Sequence, residues 1–298
     1  MTQAFKKRGL NVTLIERADH VLANILDNDM AKMIEEELKY NEINLILNEK
    51  VEEIILSSSN GSLNLDNKLF AIGIKTNKRE IFADCILLGV GVKPNSEIAK
   101  DAGIELGFQN AIKVDDFMRT NISNIFAAGD CATARNYITN KDDYLPLGTT
   151  ANKQGRITGE NAAATESNTK FEGIAGCAIT KTFGLFAAKT GLNIKEALEN
   201  GFDAIENKIE DVTRAGYYPD NKPIWIKLVA DRKSKRILGA QIVGEEGVKG
   251  RIDLISFALL KKATIEDLAN YDSCYVPPIS PVWEPLNIAA LQIMKLFI

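Results

Sequence analysis

Residues 120–132 read Thr-Asn-Ile-Ser-Asn-Ile-Phe-Ala-Ala-Gly-Asp-Cys-Ala. The apolar run Ile125–Ala128 predicts a short strand that ends on Gly129 and a single carboxylate, Asp130. Glycine lets the backbone turn or close on a neighbour. A carboxylate at the end of a buried strand needs a hydrogen-bonding partner, because burying an unpaired charge is costly. The stretch therefore raises the question of what lies against Gly129 and what partners Asp130. One reading of Asp130 is an N-cap on a following turn.

Upstream, LLGVGVKPN carries Gly89 and Gly91 ahead of Pro94, with Asn95 placed to cap a helix over 96–100. It serves as a strand-to-helix turn or as a ligand contact. Downstream, LPLGTTANKQGRITGENAA predicts a helix from about Thr149. The N-terminal N–H groups of a helix favour negative charge.

The start of the chain carries a second nucleotide signal. Ala4–Arg8 reads as a helix end, Gly9 as its C′ glycine, Asn11–Ile15 as a buried strand and Glu16 as the acid that closes it. Helix, glycine, strand and acid match the second half of a βαβ unit, in which the acid binds a ribose hydroxyl; the competing reading is that Glu16 only ends a parallel strand and faces solvent. The glycine-rich turn of such a unit lies about 20 residues earlier. Counting back from Glu16 passes Met1, so that turn is expected to be absent. Asp29 is placed to cap a helix over 30–40, with Met30, Met33, Ile34 and Leu38 on one face. Strands are expected over 44–47, 51–56, 70–76 and 80–88, with SSSNGS as a turn.

Bulk properties narrow the function classes. The chain has 298 residues, 45% hydrophobic and 26% charged, with a net charge of −4. That excludes a broad positive field and argues against nucleic acid as a partner. No stretch reaches the ~20 apolar residues of a membrane helix, and the first apolar run, Val12–Ile15, is too short for a signal peptide. The four cysteines, at 85, 131, 177 and 274, form no CxxC pair and suit a reducing cytoplasm. His20 is the only histidine, so no metal site is expected.

Taken together, LLGVGVKPN, TNISNIFAAGDCA, LPLGTTANKQGRITGENAA and YVPPISPVWEPLNIAA (275–290) resemble the FAD-dependent pyridine nucleotide-disulfide oxidoreductases. The branch is that of coenzyme A-disulfide reductases, NADH oxidases and NADH peroxidases. The absence of histidine after position 20 agrees with it. The resemblance implies an α/β fold. A Rossmann-like NAD(P)-binding domain, truncated at its start, occupies 1–90. A returning FAD-binding segment follows over 91–165, and an α+β dimerisation domain over 166–298. It implies FAD and NAD(P)H as cofactors, with Glu16 favouring NADH and Arg17 leaving NADPH open.

Asp130 matches the residue that bonds the flavin ribityl chain, with Gly89, Gly91, Gly129, Leu147, Gly148 and Thr149 as further contacts. Tyr275 matches a tyrosine that reaches the partner subunit's active site, and Tyr217 and Tyr218 offer a second one. Interface packing is the alternative role of all three. The implied activity passes electrons from NAD(P)H through FAD to a disulfide, peroxide or oxygen in a homodimer. The family's N-terminal FAD βαβ and redox cysteine find no match, so the expectation is an incomplete enzyme. Another chain could supply the missing segment, or the product is an inactive remnant.

Beyond these matches, an Asn193-capped helix over 194–200, strands over 203–209, 224–230 and 237–243, and a helix from Val248 with Ile252, Ile255, Leu259 and Leu260 on its face complete the reading.

Overall fold

A computed structural model of the chain describes residues 1–58, 69–165 and 168–297, which fall into two units. The expected SSSNGS turn lies partly outside these residues, as does the expected boundary between 165 and 166. The first unit holds residues 1–90 with 181–185, and the second holds 91–180 with 186–298.

In the first unit, α1 (Thr2–Lys7) ends before Gly9, whose φ of +80° is the left-handed turn that only glycine adopts freely. It leads into β1 (Thr13–Ile15), then α2 (Asn28–Tyr40) and β2 (Asn44–Ile46). β1 pairs with β2 in parallel, Leu14 opposite Leu45, so α2 is the crossover of a βαβ unit. β1 is shorter than expected and only half-buried. The N-cap of α2 is Asp27, not Asp29. Asp29 lies in the first turn, where a carboxylate favours the helix dipole. Met30, Ala31, Ile34 and Leu38 are buried, whereas Met33 stays half-exposed.

Three antiparallel strands follow: β3 (Val51–Ser58), β4 (Leu69–Thr76) and β5 (Glu80–Phe82), in that order across the sheet. The expected strand through Ile86–Leu88 does not form, because β5 stops at Phe82 and residues 85–96 lie in irregular chain.

The second unit opens with α3 (Glu97–Asp101), capped by position 96 rather than Asn95. The Ser96 hydroxyl is spent on the Asn110 carbonyl at 2.6 Å, so no side chain caps this helix. A short hairpin, β6 (Ala134–Asn136) and β7 (Lys141–Asp143), precedes α4 (Gly148–Ala163).

The rest forms a five-stranded sheet with helices on it. β8 (Ala178–Thr182) and β9 (Leu185–Gly191) come first, and α5 (Ile194–Glu199) follows with a full capping box between Asn193 and Glu196. β10 (Ala204–Val212), β11 (Pro223–Asp231) and β12 (Ile237–Gly244) form an antiparallel meander, and the sheet order is β10-β11-β12-β9-β8. α6 (Val248–Leu260), α7 (Ile265–Asn270) and α8 (Pro285–Met294) complete the fold.

The core lies between this sheet and α6 and α8. Ile224, Ile226 and Leu228 of β11 and Ala240 and Ile242 of β12 meet Ile252, Ile255 and Leu259 of α6 and Leu286 and Ile293 of α8. Each fully buried Leu or Ile contributes about 1.5–3 kcal/mol. Leu260, expected on the core face, is exposed at the end of α6. Where β9 meets β12, Gly191 sits opposite Gly239. A Cβ on Gly239 would come within 2.1 Å of the Leu192 carbonyl oxygen, so the close approach of these backbones requires glycine.

Candidate functional site

The Gly129–Asp130 turn is built differently from its expectation. Ile125–Ala128 forms no strand; only Phe126 bridges, antiparallel to Arg119. The apolar run is instead folded over a local turn, with Thr120 N–H and its hydroxyl both donating to the Ile125 carbonyl. Gly129 has φ +81°, and its carbonyl accepts from Ala132 N–H at 3.0 Å. Ile112 then runs beside Ala132 in parallel, donating to Cys131 O and accepting from Thr133 N–H. Cys131 turns its thiol onto the Ala128 carbonyl at 3.4 Å, as a packed residue does. Asp130 itself is exposed, not buried: the turn places its side chain outside the local core.

α4 starts at Gly148, one residue before the expected position, with Leu147 as N-cap and no side-chain cap. Its first N–H groups therefore have no side-chain acceptor, which leaves them available to one from outside. The turn and the helix meet directly. Gly129 N–H donates to Gln154 Oε1 at 2.8 Å, and Gln154 Nε2 donates to the Thr133 carbonyl at 3.0 Å. A Cβ at Gly129 would stand 3.6 Å from that of Ala151, which is one turn along the helix from Leu147. The Tyr144 hydroxyl donates to the Asp130 carbonyl at 2.9 Å. Burial, followed by the Asp130 carboxylate, pushes the Tyr144 phenol above its usual range, so it stays a donor.

The structure thus gathers Gly129, Asp130 and the Leu147–Thr149 helix start into one neighbourhood. Gln154 and Tyr144 join them without a sequence signal: a mid-helix glutamine and a tyrosine after two aspartates follow no motif. Gly89 and Gly91 are not part of it. They lie in exposed chain, and a Cβ on either would meet nothing within 4 Å.

Glu16, in the first unit, ends β1 with its carboxylate already oriented: Oε1 accepts from Ala18 N–H at 3.0 Å. The loop beyond it is fastened by His20. Nδ1 meets Asp19 Oδ1 at 2.5 Å and Nε2 meets the Leu26 carbonyl at 3.0 Å. Only the protonated ring donates from both nitrogens. Burial lowers the His20 pKa, but Asp19 and the Leu26 carbonyl outweigh it and the net shift is upward. A raised histidine pKa adds stability that is complete below the unfolded value near 6.5 and is lost as pH rises through the folded value. The expected result is a single histidine NMR titration above about 6.5 that drops towards that value in Asp19→Asn. An unshifted curve in the parent protein would refute the latch.

The two tyrosine sites come together. Tyr217 Oη lies 3.3 Å from Tyr275 Oη, and their loops are joined by Ala215 N–H on the Pro277 carbonyl. Tyr218 is half-buried and uses its N–H on Ala215 O, so Tyr217 is the residue that partners Tyr275. Hydrogen bonding to Tyr217 is the leading cause that raises the Tyr275 pKa. Ion pairs anchor both loops. Arg214 grips Glu246 through two bonds of 2.9 and 2.8 Å, joined by the Thr213 hydroxyl at 2.6 Å, while Arg251 grips Glu284 at the start of α8. In the same loop as Tyr275, Ile279, Val282 and Trp283 are exposed apolar side chains.

Residues 1–155 match the model of the pyridine nucleotide-disulphide oxidoreductases, and residues 177–285 match the dimerisation domain of the same proteins. The chain belongs to the pyridine nucleotide-disulphide oxidoreductase family. It is 37% identical over 295 residues to an NADH oxidase of Methanocaldococcus jannaschii, covering 99% of this chain and 62% of that protein. It is 36% identical to a CoA-dependent NAD(P)H sulfur oxidoreductase of Pyrococcus furiosus, covering 97% and 62%. The solved NAD-dependent persulfide reductase of A. fulgidus superposes with a TM-score of 0.89 at 37% identity, over 99% of this chain and 52% of that one. The chain thus spans less than two thirds of the length of these family members. Among the described residues, no helix is long and apolar enough to cross a membrane.

Proposed function

We propose that the chain serves a flavin-dependent oxidoreductase that passes electrons from NAD(P)H through FAD to a sulfur–sulfur bond, peroxide or oxygen. The observation that carries this reading is the Gly129–Asp130 turn, clamped through Gln154 to α4, a helix whose start carries no side-chain cap. It fits a flavin nucleotide. An exposed carboxylate offers an acceptor to a polyol hydroxyl, and free helix N–H groups face an electron-rich ring. Bound FAD would supply two-electron acceptance and donation.

The chain's own residues supply the rest. Asp130 accepts a ribityl hydroxyl, and the N–H groups at Gly148 and Thr149 favour negative charge on the ring system. Glu16, pre-oriented by Ala18, accepts the ribose hydroxyls of NADH and disfavours a 2′-phosphate. Tyr275, supported by Tyr217, holds a proton for the sulfur or oxygen acceptor. The dimerisation-domain match and the exposed apolar side chains in the loop of Tyr275 support a homodimer that presents the phenols to a partner. The free cysteines are consistent with a cytoplasmic setting.

Reconstitution tests the reading. The chain is mixed with FAD, alone and together with a relative's N-terminal flavin-binding segment, and titrated with NADH and NADPH. The expected result is little colour and no turnover alone, but a stoichiometric flavin spectrum bleached preferentially by NADH in the assembled form. Failure to take up flavin in both forms would overturn it.

A further inference from the structure

Asp130 is held from both sides by side chains that lie outside its own turn. One peptide further back, between Ala128 and Gly129, the Gly129 N–H donates to Gln154 Oε1; on the peptide after Asp130, the Asp130 carbonyl accepts from Tyr144 Oη. The peptide between Gly129 and Asp130 is held by Ala132 N–H on the Gly129 carbonyl. Gln154 is 1% exposed and Tyr144 6%. Each is itself fixed. The far end of Gln154 is spent on the Thr133 carbonyl. Tyr144 N–H bonds Asp143 Oδ1 at 2.7 Å, and Asp143 accepts from Asn136 Nδ2 at 3.1 Å. The backbone on either side of Asp130 is therefore pinned, while its carboxylate remains exposed.

We infer that Gln154 and Tyr144 are positioning residues that aim the Asp130 carboxylate at a sugar-alcohol hydroxyl of the flavin nucleotide. This rests on the functional reading above. Pinning the backbone on both sides means that ligand binding orders only one short side chain, and the entropy of orienting the turn is lost in folding rather than in binding. The choice of glutamine follows from the site. One end must accept from an N–H and the other must donate to a carbonyl, in a place sealed from water. A glutamate there would leave the Thr133 carbonyl facing a buried charge.

Gln154→Met and Tyr144→Phe keep shape and remove only the polar contact. FAD affinity is measured by fluorescence titration of the reconstituted protein, with each change alone and in an Asp130→Asn background. Amide hydrogen exchange at Gly129 is read in Gln154→Met, and circular dichroism checks the fold. Each single change is expected to weaken FAD roughly 3- to 10-fold, the effect of one neutral hydrogen bond. In the Asp130→Asn background it is expected to add nothing, because the clamp acts through that carboxylate. Gly129 is expected to lose protection. Equal losses in both backgrounds overturn the proposal, as does undiminished Gly129 protection. A parent protein whose affinity is unmoved by Asp130→Asn overturns instead the assignment of Asp130 as a flavin ligand.

Discussion

Asp130→Ala lowers the affinity of the reconstituted protein for FAD by roughly 10- to 150-fold. The side chain is exposed, so its removal leaves no cavity and disturbs no core contact. The turn around it is fixed by Ile112, Gln154 and Tyr144 through backbone groups that the substitution leaves in place. What is lost is one charge-assisted hydrogen bond to a ligand hydroxyl, worth about 1.5–3 kcal/mol, which converts to that range of affinity. Because folding is spared, the unfolding midpoint of the flavin-free protein stays where it was. Unchanged affinity in a flavin titration would show that Asp130 serves the turn alone.

Tyr275→Phe slows reduction of the electron acceptor by about ten- to a hundredfold or more, which reaches into the range of proton assistance by a positioned side chain. The ring remains, and with it almost all the packing. Only the hydroxyl that meets Tyr217 is removed. Bleaching of the flavin by NADH, followed by stopped flow, is expected to proceed at its normal rate, because that step needs no phenol. Sedimentation is expected to show an intact dimer, because the buried area barely changes. If the dimer falls apart while turnover per assembled site is normal, Tyr275 is an interface residue and its catalytic role is wrong. The 3.3 Å contact adds a corollary: Tyr217→Phe should produce a smaller loss of the same kind, since it removes the support rather than the donor.

How much of this was legible in the sequence differs by element. β11 and β12 and their covering helix α6 were readable because both strands are largely apolar runs ended by turn residues, and the Asn193 cap stands alone before its helix; β10 is mostly polar and shows only Ile205, Ile209 and Val212 as spaced apolar residues. Gly129, Asp130 and the helix after them were readable as motif letters. The strand before them was not, because an apolar run says nothing about whether a partner strand lies alongside. Ile125–Ala128 is used by crossing contacts to residues 118–122 instead. Gln154 and Tyr144 were invisible for a different reason. A polar residue that bonds to main chain leaves no periodicity, and its partner atoms carry no side-chain identity. The tyrosines fell in between. Each was legible in its own loop, but their mutual contact spans 58 positions and depends on how the two loops close.

The sheet order also has a consequence for the ribosome. β9 pairs with β12, yet about 50 residues separate them, and α5, β10 and β11 must be made in between. At roughly 5–20 residues per second, β9 waits on the order of 3–10 s for its neighbour. During that interval a strand with six buried positions in the finished protein has an open edge. The meander that follows is local and can close quickly, on the timescale of hairpins. The β8–β9 pair is then captured by a nearly complete template. The nascent segment from Ala178 to Gly191 is therefore where a holding chaperone would be needed during translation, well before any cofactor is involved.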